Sequence, residues 1–168
     1  GVVRSLGDIL KNGFIKRGVK PVYWCIDCGS ALAEAEVEYH DKRSVAVDVR
    51  FTVLDEQAFL ERCQHAPEPK RAGPLSVPIW TTTPWTLPAN EGVTLGAEID
   101  YALIECETVQ GKEQLLIAEA LLNKVVTRYG IEIYHVVAYC KGKDLEGLAL
   151  QHPFYEKQVP ICLGDHVT

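Results

Sequence analysis

The chain has 168 residues, enough for one domain with a sizeable core, and its 47% hydrophobic and 24% charged residues exclude disordered and fibrous classes. A formal net charge of −6 argues against a domain whose main work is gripping a phosphate backbone, because that affinity comes from neutralising phosphates. No apolar run approaches the roughly 18 to 20 residues that span a bilayer and no secretory pattern precedes the first helical segment, so no membrane partner is expected; a chain with no Met that opens on Gly1 reads as cut from something longer.

Leu6, Ile9, Leu10 and Phe14 fall at helical spacing, which predicts a short amphipathic helix over 5–15 with Ser5 as N-cap and Asn12-Gly13 as its stop. A basic turn leads into Lys20-Pro21-Val22-Tyr23-Trp24, read as extended. After Cys25-Ile26-Asp27-Cys28-Gly29, residues 33–39 (AEAEVEY) alternate with period two, which predicts a strand with Glu34, Glu36 and Glu38 on a solvated face. That strand is expected to form a hairpin with the β-rich run 45–53 through the turn His40–Ser44.

Asp55 caps a predicted short helix over 55–63 that carries Phe59 and Leu60, and a Pro-, Gly- and charge-rich surface loop follows from Ala66 to Pro74. Leu75–Trp80 reads as a strand whose interior Pro78 points to an edge or a bulge. Strands are expected at 101–106, 113–117, 131–140 and 159–163, and a helix at 119–129 with Leu121, Leu122, Val125 and Val126 on one side and Gly130 behind it. The fold class this implies is mixed α/β: a mostly antiparallel β-barrel of about seven strands with peripheral short helices.

The six cysteines follow no disulfide framework, which points to a reducing, cytosolic compartment. Cys106, Cys140 and Cys162 sit in apolar strand-like surroundings and read as small buried hydrophobes. Cys25 and Cys28 form a CxxC turn of the kind that gives two thiolates to tetrahedral zinc, yet a structural site needs four ligands and no second knuckle follows. They make a zinc half-site at most. The histidines 40, 65, 135, 152 and 166 suggest no metal pair, and His152 before Pro153 reads as structural. Lys11, Lys16, Arg17 and Lys20, then Lys70 and Arg71, then Lys141 and Lys143 are solvated groupings balanced by 23 acids.

Ile79–Asn90 is the unusual passage, with four Thr, two Trp and two Pro in twelve residues. Pro stiffens the backbone, and Thr hydroxyls donate and accept with little side-chain entropy to lose. Trp rings can wall a pocket or stack on a base. The set suits recognition of a neutral or esterified ligand and positioning of a water, and it holds no charged nucleophile or general base. As pattern alone it reads equally as a Thr-rich strand end running into a stiff turn.

TTTPWTLPAN at 81–90 resembles the threonine-rich motif of the editing insertion, connective peptide 1, in the class I isoleucyl-tRNA synthetases; the valyl and leucyl members carry a TTRP-type version. KPVYWCIDCGSALAEAEVEY at 20–39, YAL at 101–103, HPF at 152–154 and VPICLGDHVT at 159–168 resemble the same family, of bacterial type, so the likeness runs nearly end to end. It implies a helical lead-in over 1–19 from the catalytic-domain junction and an editing domain over 20–168. A synthetic site cannot reject valine well, since one methylene is worth only about 1 to 3 kcal/mol, a limit that isoleucyl enzymes themselves illustrate. A second pocket therefore hydrolyses valine esterified to tRNA(Ile), and valyl-adenylate with it.

On the resemblance, Thr82, Thr83 and Asn90 carry the hydrolysis, while Trp80, Thr81, Trp85 and Thr86 bind substrate. The implied partners are the tRNA(Ile) acceptor end, the valyl ester and the rest of a synthetase chain, in a cytoplasmic monomer; ATP and Mg²⁺ belong to the parent's catalytic part. The family continues after GDHVT with GTG, HTAP and GHG motifs and an Asp that binds the substrate amino group. None of the acids here matches that Asp, so the chain by itself is expected to be a weak or inactive deacylase. Two other readings remain at this point: a non-catalytic zinc-knuckle module for nucleic acid, and a free-standing trans-editing deacylase.

Overall fold

A computed structural model describes residues 1–65 and 72–167, the side chain of His65 excepted. The chain divides into two compact units, Gly1–Arg43 and Ser44–Thr168. Among the described residues no helix is long and apolar enough to cross a membrane.

In the first unit, helix α1 (Val2–Lys11) begins before the expected cap. Gly1 rather than Ser5 holds the N-cap position, and the helix stops at Asn12 as the sequence predicts. None of its residues is buried. Strands β1 (Tyr23–Cys25) and β2 (Ser30–Leu32) pair antiparallel with Cys25 opposite Ser30. The turn between them closes through Gly29 N–H donating to Cys25 O at 2.9 Å, and Gly29 takes the left-handed φ of 62° that a side chain would resist.

The predicted strand over 33–39 does not form. Glu34–Glu36 is a single 3₁₀ turn, in which Ala33 N–H donates to Glu36 Oε2 at 2.7 Å and Glu36 N–H donates to Ala33 O at 2.9 Å. A glutamate that reaches back to the start of its own turn satisfies the backbone locally, and this outcompetes an extended conformation that has no partner strand. The expected hairpin with 45–53 fails with it, because that run pairs elsewhere.

The second unit is built on β3 (Val47–Val53), helix α2 (Glu56–Glu61), β4 (Gln64–His65), β5 (Leu75–Thr81), β6 (Val93–Leu95), β7 (Asp100–Thr108), β8 (Gly111–Ala118), helix α3 (Leu122–Tyr129), β9 (Tyr134–Lys141), β10 (Ala149–Gln151) and β11 (Gln158–Leu163). The nine strands run in the order β4-β9-β7-β8-β5-β3-β10-β11-β6. All neighbours are antiparallel except β5 with β8 and β6 with β11. The order has two ends, β4 and β6, so the sheet is open and the predicted barrel closure is absent among the described residues. β4, β6 and β10 span two or three residues each, too short to print an alternation that sequence reading can detect.

The strands bury both faces of the sheet. On one side Phe51, Phe59, Val77, Leu103, Leu150 and Ile161 anchor the larger core. On the other, Ile104, Leu115 and Ile117 pack under Val126 of α3. A register shift opposite Leu103 and Ile104 leaves Val137 as an extra residue in β9, so that Tyr134 and Val136 pack on one side and Ala138 and Cys140 on the other. Asp55 caps α2 as expected, its Oδ1 accepting from Ala58 N–H at 2.9 Å. Gly130, at φ 66°, ends α3 in the left-handed conformation.

β5 is interior in the strand order, not an edge. Its parallel pairing with β8 covers only Leu75 and Ser76, however, so Pro78 lies past the point where β8 departs and faces one partner, Arg50 on β3. The sequence signal for an edge is thus met locally. Cys106 and Cys140 are buried as predicted, but Cys162 is exposed, because in β11 the core-facing positions are Val159 and Ile161 and the pleat turns the residue after Ile161 outward. Residues 66–71 of the predicted surface loop, Lys70 and Arg71 with them, lie outside the described residues.

Candidate functional site

The threonine-rich passage leaves β5 at Thr81 and turns into a 3₁₀ helix, Pro84–Ala89, with Pro84 at its first position. Proline suits that position, since its φ is preset and its missing N–H costs nothing there. The hydroxyls are fixed by short local bonds. Thr81 Oγ1 accepts from Thr83 N–H at 3.0 Å and lies 3.1 Å from Thr83 Oγ1. Thr86 Oγ1 donates to Thr83 O at 2.8 Å, and Thr86 N–H donates to the same carbonyl at 3.0 Å. Thr82 holds the bend from its backbone, its carbonyl accepting from Ser44 Oγ at 2.7 Å.

Thr81, Thr83 and Thr86 are therefore one bonded set. Thr82, Thr83 and Thr86 are exposed, and Trp80 and Trp85 present 56% and 68% of their surface to solvent, an unusual share for the largest apolar ring. Asn90 ends the helix: its N–H donates to Leu87 O at 3.0 Å and its Nδ2 donates to Gly92 O at 3.0 Å. Among the described residues, one amide hydrogen of Asn90 is thereby used and the other is left, while its Oδ1 is buried without a hydrogen-bond partner.

Two residues outside the motif hold it from behind. His152, 2% exposed, bonds Leu87 O through Nε2 at 3.0 Å. Lys157 Nζ donates to Asn90 O at 3.1 Å and pairs with Glu91. Both belong to the connection between β10 and β11. In the sequence HPF stands only as part of the family resemblance and His152 reads as structural; no local pattern indicates that the residue reaches back to the threonine segment.

A cavity of about 370 Å³ opens beside Trp80 where β5 and β8 part, floored by Val77, Ile79 and Leu116. Asp48, Arg128 and Tyr129 form part of its lining, with Asp48 Oδ1 accepting from Arg128 and, at 2.9 Å, from the Tyr129 hydroxyl. Of the predicted site residues only Trp80 lines this cavity. Thr82, Thr83, Trp85 and Thr86 are exposed outside it, and Thr81 and Asn90 are half-buried.

Cys25 and Cys28 stand together in the β1–β2 turn. Cys28 N–H donates to Cys25 Sγ at 3.3 Å, the amide-to-sulfur contact of a metal knuckle. That amide, with the Cys28 thiol beside it, pulls the Cys25 thiol below its ordinary range, while the Cys25 sulfur pushes Cys28 up. The pair fits two positions of a tetrahedral site. Among the described residues no group of three or more His, Cys, Asp or Glu is gathered to complete one.

Comparison with known proteins gives the arrangement a context. The family described as tRNA synthetases class I (I, L, M and V) matches residues 1–141. Proteins named isoleucine–tRNA ligase are similar over the whole chain: that of Nitrosococcus oceani is 57% identical over 99% of this chain, that of Methylococcus capsulatus 54% over 99%, and that of Halorhodospira halophila 52% over 100%. The chain spans 18% of the length of each of these relatives. Among solved structures, one titled "The crystal structure of GlLeuRS-CP1" shares the fold at a TM-score of 0.52 and 12% identity, over 74% of this chain and 49% of that one.

Proposed function

Because the chain belongs to the class I tRNA synthetases, we propose that it forms the editing domain, connective peptide 1, of an isoleucine–tRNA ligase and hydrolyses valine wrongly esterified to tRNA(Ile). The observation that carries this reading is the bonded Thr81–Thr83–Thr86 set, which runs from the end of β5 into the 3₁₀ helix, in a chain 57% identical to such a ligase.

An aminoacyl ester is already activated, so its hydrolysis needs a held water, donors near the developing oxyanion and little else. Thr86 spends its hydroxyl proton on Thr83 O, which leaves its oxygen lone pairs to accept from an ammonium, a ribose hydroxyl or a water. Thr82 and Thr83 supply hydroxyl donors at the same edge. Trp85 walls the substrate, Trp80 and Thr81 complete the rim, and Asn90 offers its remaining amide hydrogen to substrate or water. The substrate's own terminal ribose hydroxyl can assist the proton transfer. Valyl-adenylate presents the same acyl group and is a second substrate of this reading.

The same reading places the tRNA(Ile) acceptor end and the remainder of a ligase chain as partners, in a cytoplasmic monomer, with ATP and Mg²⁺ serving residues other than these. Cys25 and Cys28 would give two thiolates to a structural zinc. The test is deacylation of Val-tRNA(Ile) by a full-length isoleucine–tRNA ligase carrying this segment. Thr83→Ala and Asn90→Ala are expected to slow it by about 10²-fold, the scale of losing an oxyanion donor; unchanged hydrolysis in both variants would overturn the assignment.

A further inference from the structure

We propose that His152 is a positioning residue for the threonine-rich site, fixing the end of its 3₁₀ helix through Leu87; the proposal rests on the hydrolytic reading above for its effect on rate, and on geometry alone for the clamp itself. The 3₁₀ helix is short of internal donors, since Pro84 and Pro88 have no N–H. Its last carbonyl contact, Leu87 O, receives Asn90 N–H at 3.0 Å and, as a second donor, His152 Nε2–H at 3.0 Å. An imidazole buried in the larger core thus completes the coordination of the carbonyl that orients Asn90.

The orientation of that imidazole is over-determined. Its Nδ1 accepts from Phe154 N–H at 3.1 Å and from Tyr155 N–H at 3.3 Å, so Nδ1 carries no proton and the proton sits on Nε2. The ring stacks on Tyr155, 5.1 Å between centroids, and meets Phe51 and Phe154 edge-on. His152 N–H donates to Lys157 O at 2.8 Å and closes the loop. From that closed loop Lys157 Nζ reaches Asn90 O at 3.1 Å. The β10–β11 connection therefore grips the helix end at two successive points, Leu87 O and Asn90 O.

The two ring nitrogens can be tested separately. In the full-length ligase, His152→Gln keeps a donor at the Nε2 position, whereas His152→Asn keeps an acceptor at the Nδ1 position and loses the reach to Leu87. The expected result is that His152→Asn lowers kcat for Val-tRNA(Ile) deacylation at least tenfold with KM unchanged and speeds hydrogen exchange of the Asn90 amide. His152→Gln is expected to restore both toward wild type. Lys157→Met, a substitution at the partly exposed second tether, lowers kcat in the same direction and decides the matter if His152→Asn does not fold.

Equal losses in His152→Gln and His152→Asn with unchanged Asn90 exchange, or no loss in His152→Asn and Lys157→Met, would overturn the proposal. Absence of Val-tRNA(Ile) hydrolysis in the unsubstituted enzyme sinks the hydrolytic reading instead. The exchange measurement then still judges the clamp.

Discussion

Arg50 on β3 and Glu113 on β8 form a paired salt bridge although β5 lies between their strands. Arg50 Nη2 donates to Glu113 Oε1 at 2.7 Å and its Nε donates to Oε2, and the carboxylate also accepts from Thr108 Oγ1 at 2.6 Å. Glu113 is almost fully buried, and its bonds hold the Arg50 guanidinium, whose pKa they raise further, against the ring of Tyr129. The pair ties β3 to β8 across β5, with Tyr129 of α3 against the guanidinium.

Removing one partner leaves a charge in a desolvated site, which costs more than the pair contributes net. Glu113→Ala is expected to destabilise the fold by about 3 kcal/mol in urea unfolding. The Arg50→Ala/Glu113→Ala double variant should lose less than the summed singles, since no unpaired charge remains. Strict additivity would show that the two residues act independently.

Gly142 follows β9 where the chain passes Gly96. A Cβ at 142 would collide with the Gly96 carbonyl, part of a backbone held by Ile99 N–H donating to Gly96 O at 3.2 Å. Gly142→Ala should therefore cost about 1 to 3 kcal/mol, the range of an overpacked site, whereas Gly7→Ala, with open space around it, should not. Thermal melting of the two variants side by side checks this.

Thr86 separates hydroxyl chemistry from shape. Thr86→Val keeps the volume and loses the Oγ1 bond to Thr83 O, while Thr86→Ser keeps the bond. With about 1.4 kcal/mol per tenfold, the loss of one such bond predicts roughly a tenfold slower deacylation for Thr86→Val. Thr86→Ser should stay near wild type, and a reversed order would remove the hydroxyl from the mechanism.

Cysteine reactivity should follow thiolate character and access. In the presence of a chelator, Cys25 is expected to alkylate before Cys28, because its neighbour lowers one thiol and raises the other. Cys162 is exposed and should react, while buried Cys106, pushed up by burial, and buried Cys140, pushed up by the Cys63 sulfur and then by burial, should stay protected until the fold opens. Peptide mass spectrometry after a brief iodoacetamide pulse reads all of them.

Cys106 also makes alkaline stability predictable. Burial first, and the charge of Glu113 second, push its thiol from 9.0 up to about 11. The folded state then holds a proton that the unfolded state releases, so stability falls as pH rises from about 9 to about 11. Cys106→Ala should flatten urea-midpoint profiles across that window. An unchanged slope would locate the alkaline loss elsewhere, with Tyr129 and Tyr101, also raised by burial, as the groups to examine next.

What the sequence disclosed and what it hid follow from range. Helices α1, α2 and α3 and the long strands β3, β5, β7, β8 and β9 announce themselves through periodicity, and Asn12, Asp55 and Gly130 mark their ends. The run 33–39 misled because alternation states which face would be polar but not whether a partner strand exists; Glu36, by satisfying Ala33 locally, removed the need for one. At the site, the local Thr81–Thr83–Thr86 bonds lie within one motif that composition singles out. The support from His152 and Lys157 depends on where the β10–β11 turn lands, which no spacing within the motif records.

The position of β3 in the sheet carries a consequence for the order in which the chain can assemble. On one side Thr52 meets Ser76 soon after both are made, but on the other Val53 must wait for Leu150. A ribosome moving from the N-terminus releases the middle of this sheet long before the strand that covers its open edge. Until β10 arrives, Val53 and Thr52 expose unpaired backbone groups and one flank of the larger core, a state prone to pairing with the wrong partner. Because such distant pairings close slowly, the arrival of β10 and of the turn behind it, more than intrinsic helix or strand propensity, sets when the threonine-bearing segment gains its contacts with His152 and Lys157.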